Sequence, residues 1–313
     1  MFSFAPLFFV ALTSLLASAT PIIYDGRASF NLTAANLDAN KGPFLTVVKG
    51  SQNASHYTTL LGQNVLATPL WSKARYVPAE QVVSVSVDNS SIFSPGGNPQ
   101  NGFRRTDLIA ANDGEHTELL TKIETGVTAF HFSVKKDDKK PLNLSHEYQP
   151  VFIEPNDGTH VFDLQVGSPF TIPTGTLPSN NSNILKIRDH SGNILFSTDF
   201  TSNNWHNFAV QVDWTNLKLG VFYSKDNAVL APVSKLVANA GAKNGTDGQG
   251  DFHVALLKLP IANPADSAAQ QSDVPHFGSQ EGTTEALLYS GVFVESVAQG
   301  VSVGYGQTAK ALA

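Results

Sequence analysis

Apolar and polar positions alternate with a period of two along most of the chain, and this pattern predicts strands rather than helices. Val83, Val85 and Val87 point one way, with Ser84, Ser86 and Asp88 the other. Phe130, Phe132 and Val134 alternate with Ala129, His131 and Ser133, and the run from His160 to Val166 continues the theme. Phe208, Val210, Val212 and Trp214 oppose Asn207, Ala209, Gln211 and Asp213. Leu217, Leu219, Val221 and Tyr223 follow a short Thr215-Asn216 connection, which predicts a hairpin. Further strands are expected from Phe252 to Leu259 and, as the closing one, from Leu288 to Glu295. Near the start, residues 21–26 predict a strand and turn, and residues 31–40 one short helix or loop.

Clusters of turn-forming residues separate these runs, as at Pro155-Asn156-Asp157-Gly158 and Asn244-Gly245-Thr246-Asp247-Gly248. No amphipathic helix longer than about three turns fits the 3.6-residue pattern. Many strands without helical crossovers imply an all-β chain with antiparallel sheets packed face to face. The expected fold is a β-jelly-roll sandwich of two antiparallel sheets with an open concave groove suited to an extended polymer. No linker or internal repeat divides the chain, so one domain is expected over residues 20–296. The Gly- and Ala-rich tail at 297–313 is expected to fray.

The first nineteen residues change the setting. An apolar run from Leu7 to Leu16 ends in Ala17-Ser18-Ala19, a secretory signal expected to be cleaved after Ala19, although no Lys or Arg precedes the run. The run is too short to span a bilayer. The mature protein is therefore expected to be secreted and extracellular. Export without a single cysteine is possible because a chain this long buries enough apolar surface to stand without disulfides. Sequons at Asn31, Asn53, Asn89, Asn143, Asn180 and Asn244 fit a glycosylated export route. A net charge of −6 with only 15% charged residues argues against nucleic acid, anionic membrane and polyanionic substrates, and suits a neutral polymer. A monomer is the default expectation.

Candidate chemistry concentrates in Ser145-His146-Glu147-Tyr148-Gln149, which leads into Val151-Phe152-Ile153-Glu154-Pro155. On a strand Glu147 and Gln149 share a face with Ser145, and His146 and Tyr148 take the other. Pro150 cannot donate to a ladder and signals an edge or bulge, so this phase does not carry on to Glu154. In a second stretch, Asn98 to Leu108, a turn feeds a strand on which Arg105 and Asp107 share a face. An arginine beside a carboxylate lowers its pKa, which suits a base or a substrate-orienting group, and equally an ordinary ion pair on a strand edge. Asp107, His131 and Glu147 lie on successive predicted strands and are expected to converge on one face. Glycoside hydrolysis needs one carboxylic acid to assist the leaving group and a second carboxylate acting on water or on the sugar. Asp107 and Glu147 suit those roles, with Glu118, Glu124, Glu154, Glu281 and Glu285 as rivals.

Several segments resemble the catalytic domain of glycoside hydrolase family 131, the fungal broad-specificity β-glucanases. They are residues 50–58, 97–108 and 145–162, then Trp205 to Trp214, Gly248-Gln249-Gly250-Asp251-Phe252-His253 and Gln280-Glu281-Gly282-Thr283-Thr284-Glu285. The resemblance runs from about Ile22 to Glu295. It implies a β-jelly roll with a broad cleft that cleaves β-1,3-, β-1,6- and β-1,4-linked glucans with inversion. The family's two proposed catalytic glutamates fall at Asp107 and Glu147. The first sits in an Arg-Arg-Thr-Glu motif that here reads Arg104-Arg105-Thr106-Asp107. The shorter side chain draws its carboxyl back by one methylene, in a reaction where inverting pairs work across about 6.5–9.5 Å.

The roles expected are Glu147 as general acid or base, Asp107 as its partner and Arg105 orienting Asp107. His131, Tyr148, Gln149 and His253 are candidates for binding sugar hydroxyls. Trp205 and Trp214 are candidates for stacking on sugar rings, with the core the stronger reading for Trp214. No metal-ligand spacing is present, so no cofactor is expected. The expected partner is a β-glucan polysaccharide or oligosaccharide. A jelly-roll polysaccharide lyase and a non-catalytic glucan-binding protein are the alternatives.

Overall fold

The computed structural model describes residues 20–46, 50–72 and 79–313. The leader expected at residues 1–19 lies outside them. Two large antiparallel sheets form the molecule. The nine-stranded sheet runs Ala231–Pro232, Lys218–Lys225, His206–Asp213, Val127–Lys136, Glu285–Ser296, Val83–Val87 and Thr58–Leu60. Ile22–Asp25 also pairs with Glu285–Ser296, and Val237–Ala238 with Lys218–Lys225. The seven-stranded sheet runs Ile194–Asp199, Ile184–Asp189, Phe162–Gly167, Glu147–Pro155, Gly250–Lys258, Arg104–Ala110 and Phe44–Leu45. Helices among the described residues are short, the longest being Thr117–Ile123.

Period-two alternation explains the layering. Phe130, Phe132, Val134, Phe208, Val210 and Val212 face inward from one sheet. They meet Val151, Ile153, Phe162, Leu164, Phe252, Val254 and Leu256 from the other, all in one buried cluster. Burial of such apolar surface is the main driving term for the fold. Trp214 packs against this core, its indole N–H donating to Thr128 Oγ1 at 2.9 Å, and Trp205 is buried beside Ala67, Val82 and Leu288. Both rings are thus taken up by packing.

The outward faces of the two sheets have different fates. That of the nine-stranded sheet is covered: Leu70 of the Pro69–Trp71 turn packs with Val301 and Val303 over Ala129, Ala209 and Phe222. The segment after Val297 is therefore docked rather than frayed. It forms a hairpin, Val301–Gly304 with Gln307–Ala309, and Gln211 exchanges two hydrogen bonds with the Leu312 backbone. A Gly- and Ala-rich composition hid the Val301/Val303 alternation that anchors it. The outward face of the seven-stranded sheet carries the charged residues.

Candidate active site

That face is built from five neighbouring strands. Leu108 and Ala110 turn inward, which puts Arg105 and Asp107 outward. By the same phase Asp163 and Gln165 oppose Phe162, Leu164 and Val166, Lys186 and Arg188 oppose Leu185 and Ile187, and His253 opposes Phe252 and Val254. The Glu147–Pro155 strand needs one further device. Its register shifts between Tyr148 and Val151 against Phe162–Gly167, and the facing strand shifts between Val254 and Leu257. Tyr148, Val151 and Ile153 are all in the core, so the phase changes at Pro150. A bulge there needs no ladder donor, which is where proline is tolerated. The shift returns Phe152 and Glu154 to the face that carries Glu147 and Gln149.

At the start of this strand Glu147 is held by three donors. Arg188 Nη2 and Gln149 Nε2 meet Oε1 at 2.9 and 3.0 Å, and the Phe170 N–H meets Oε2 at 2.8 Å. Glu147 pairs with Gly167, whose φ of +90° and closeness to the His146 carbonyl leave no room for a side chain. Arg188 also grips Asp163 through Nε at 2.7 Å and Nη2 at 2.9 Å. His160 Nδ1 lies 3.3 Å from Asp163 Oδ2. Burial pushes the Asp163 carboxyl up, but His160 and Arg188 outweigh it and hold it below the ordinary value.

A second unit lies across the sheet. Arg105 Nε donates to Asp107 Oδ2 at 2.6 Å, and Nη2 of the same guanidinium to Glu154 Oε2 at 2.5 Å. His253 stands between the two carboxylates, Nδ1 3.5 Å from Asp107 Oδ1 and Nε2 3.7 Å from Glu154 Oε2. The Asp107 contact is close enough for an ion pair but makes no hydrogen bond, so both of its atoms are buried without a hydrogen-bond partner. Burial raises the Asp107 carboxyl, and Arg105 with His253 brings it below the usual range. The two units meet at Phe152, whose ring stacks on His160 at 4.4 Å and on His253 at 4.5 Å.

Arg105, Asp107, Glu147, Gln149 and His253 therefore share this face. Asp107 and Glu147 do not come from adjacent strands, since Gly250–Lys258 lies between them. Asp107 has no exposed surface, Glu147 retains 5%, and the Glu154 side chain keeps 22%.

Two expectations fail. His131 belongs to the other sheet, fully buried, with Nε2 2.9 Å from Glu295 Oε1 and its ring stacked on Phe293. Alternation gave its outward phase but could not say which sheet its strand joins. Tyr148 points into the core, its hydroxyl donating to Glu285 at 2.5 Å, so it cannot meet a sugar.

Of the rival carboxylates, Glu118 is exposed on a helix and Glu124 is buried against the Gly250 N–H. Glu281 and Glu285 clasp the buried Lys258 ammonium. Only Glu154 joins the face. Sequence reasoning gave no role to Arg188, Asp163 or His160. The signal was present: charged residues on the polar phase of strands whose other phase is wholly apolar.

The sequence matches the family model described as the glycoside hydrolase 131 catalytic N-terminal domain over residues 22–300. Among solved structures, the chain is similar to the GH131 β-glucanase catalytic domain from Podospora anserina, at 23% identity and a TM-score of 0.66. That match covers 91% of this chain and 99% of the other. The catalytic domain of the family 131 protein from Coprinopsis cinerea is also 23% identical, with a TM-score of 0.65 and coverage of 92% and 100%. A comparison with curated proteins found no match.

Proposed function

Since this chain belongs to the catalytic domains of glycoside hydrolase family 131, we propose that it is a secreted, monomeric β-glucanase acting on β-1,3-, β-1,6- and β-1,4-linked glucan. It works through two carboxylates and inverts the anomeric carbon. One carboxyl protonates the departing oxygen while the other draws a proton from water on the opposite side of the ring. Glu147 is one of the two, and Asp107 in the Arg105 unit is the other. The observation that carries this reading is that Glu147 and the Asp107–Arg105–Glu154 unit lie on the same outward polar face of the seven-stranded sheet.

Asp107 starts without exposed surface, so its part requires the cover of Arg105 and His253 to shift when a sugar chain binds. Catalytic contacts commonly tighten only in the bound complex. Gln149, His253 and Arg105 bind sugar hydroxyls. Secretion accords with the exposure of all six sequon asparagines and with the absence, among the described residues, of any helix long and apolar enough to cross a membrane.

The test is product analysis on defined β-1,3-, β-1,4- and mixed-linkage glucans, with wild type beside Glu147→Gln. Reducing ends from wild type and none from the variant support the reading, and turnover by Glu147→Gln rejects it. The burial of Asp107 favours a second reading, a non-catalytic glucan-binding protein. Binding to insoluble glucan with no sugar released at any pH selects that one.

A further inference from the structure

We propose that Glu154, with Arg105 and His253 behind it, forms a sugar-binding subsite at the far end of the groove from Glu147. The inference rests on the β-glucan reading above and adds a residue to it. Glu147 opens its strand and Glu154 is the eighth of its nine residues. With the bulge discounted, that is six strand steps, or roughly 20 Å at 3.3 Å per residue. Such a separation is too long for the two to work on one glycosidic bond, where inverting pairs span about 6.5–9.5 Å. It matches a groove that holds several units of an extended chain.

The chemistry at Glu154 is that of an acceptor for sugar hydroxyls. Arg105 fixes Oε2 at 2.5 Å, and Oε1 carries no hydrogen bond among the described residues. A carboxylate with one oxygen clamped and the other turned to solvent presents a lone pair in a fixed direction. Behind it, His253 is buried and its Nδ1 has no hydrogen-bond partner, while Asp107 Oδ1, 3.5 Å away, has none either. Unpaired buried polar atoms are uncommon and expensive. A small shift of Arg105 and Glu154 towards a bound sugar lets His253 close on Asp107, so occupancy of the subsite completes the hydrogen bonding of the unit. Besides its catalytic part with Glu147, Asp107 is then a positioning residue towards this subsite.

The experiment compares Glu154→Gln with wild type on short and long β-1,3-gluco-oligosaccharides. KM on long chains should rise roughly tenfold, the worth of one hydrogen bond to a charged group. The rise should be severalfold smaller on chains too short to span both ends. A rise of the same size on short and long chains would overturn the subsite by placing Glu154 beside the bond that is cut. An unchanged KM at every length would overturn it by making Glu154 a surface ion pair.

Calorimetric binding of long oligosaccharides to Glu147→Gln and to Glu147→Gln/Glu154→Gln reads the same contact without turnover. If Glu147→Gln binds no glucan, the functional reading above is rejected. If both variants bind equally well, the subsite alone is rejected.

Discussion

The two arginine–carboxylate units on either side of Phe152 are made of the same parts and differ in how they are finished. Each has an arginine gripping a buried aspartate and a glutamate, with a histidine beside the aspartate. Around Arg188 every contact is closed: Glu147 accepts from three donors that use both of its oxygens. Around Arg105 the contacts stop short, leaving Asp107 Oδ1 and His253 Nδ1 without hydrogen bonds and Glu154 partly in solvent. A fully satisfied carboxylate is held in one orientation, which proton transfer to a fixed atom demands. A half-satisfied one has capacity left for a ligand.

The comparison breaks most sharply at Glu147. Replacing it with Gln keeps the shape and should lower kcat by about 10²–10⁴-fold, the usual worth of a positioned acid or base. Steady-state kinetics on a β-1,3-glucan would measure this.

The two arginines come next. Arg105→Ala and Arg188→Ala each strand buried carboxylates and should each lower stability by about 3–5 kcal/mol, read by urea unfolding. Their kinetics should diverge: Arg188→Ala frees Glu147 and lowers kcat alone, whereas Arg105→Ala frees both Asp107 and Glu154 and should lower kcat and also raise KM on long chains.

Asp107→Glu lengthens this side chain by one methylene. Because Asp107 has no free surface, the added methylene must push against Arg105 and His253, for a loss of about 1–3 kcal/mol. Thermal melting would show it as a lowered Tm.

The smallest effect is in acid. Asp107 and Asp163 have lowered values in the folded state. The stability they contribute is therefore fully present above the unfolded value near pH 4 and is lost as pH falls through the folded ones. Glu281, outside both units, follows the same sign. Burial raises its carboxyl, but the Lys258 ammonium and other partners outweigh it and bring it from 4.5 to about 2. Glu281→Gln should flatten the loss of stability between about pH 4.5 and 2, seen in melting temperatures across that range.

Most of the layering was legible in the sequence, because each strand announces its buried phase. Phe130, Phe132 and Val134 face the core as alternation requires. What alternation cannot carry is pairing. It could not say that His131 and Glu147 lie in different sheets, nor that Gly250–Lys258 separates Asp107 from Glu147, since both are set by contacts distant in sequence. It could flag Pro150 as a break in phase but not its size, which alone decides that Glu154 faces outward. The partners of Glu147 were hidden for the same reason. Arg188 is 41 positions away in sequence and meets Glu147 only because their strands lie on either side of Phe162–Gly167.

The extra residue at Pro150 works like a half-turn splice in a ribbon. Pairing that residue in as an ordinary strand position would leave the first half of the strand in place and swap the outer and inner sides of the second. Phe152 and Glu154 would be driven into the interior, and Ile153 pushed out. One ribbon could then no longer serve both ends of the trough. The reach of the proposed binding face along this strand is thus written into a single irregularity of its backbone.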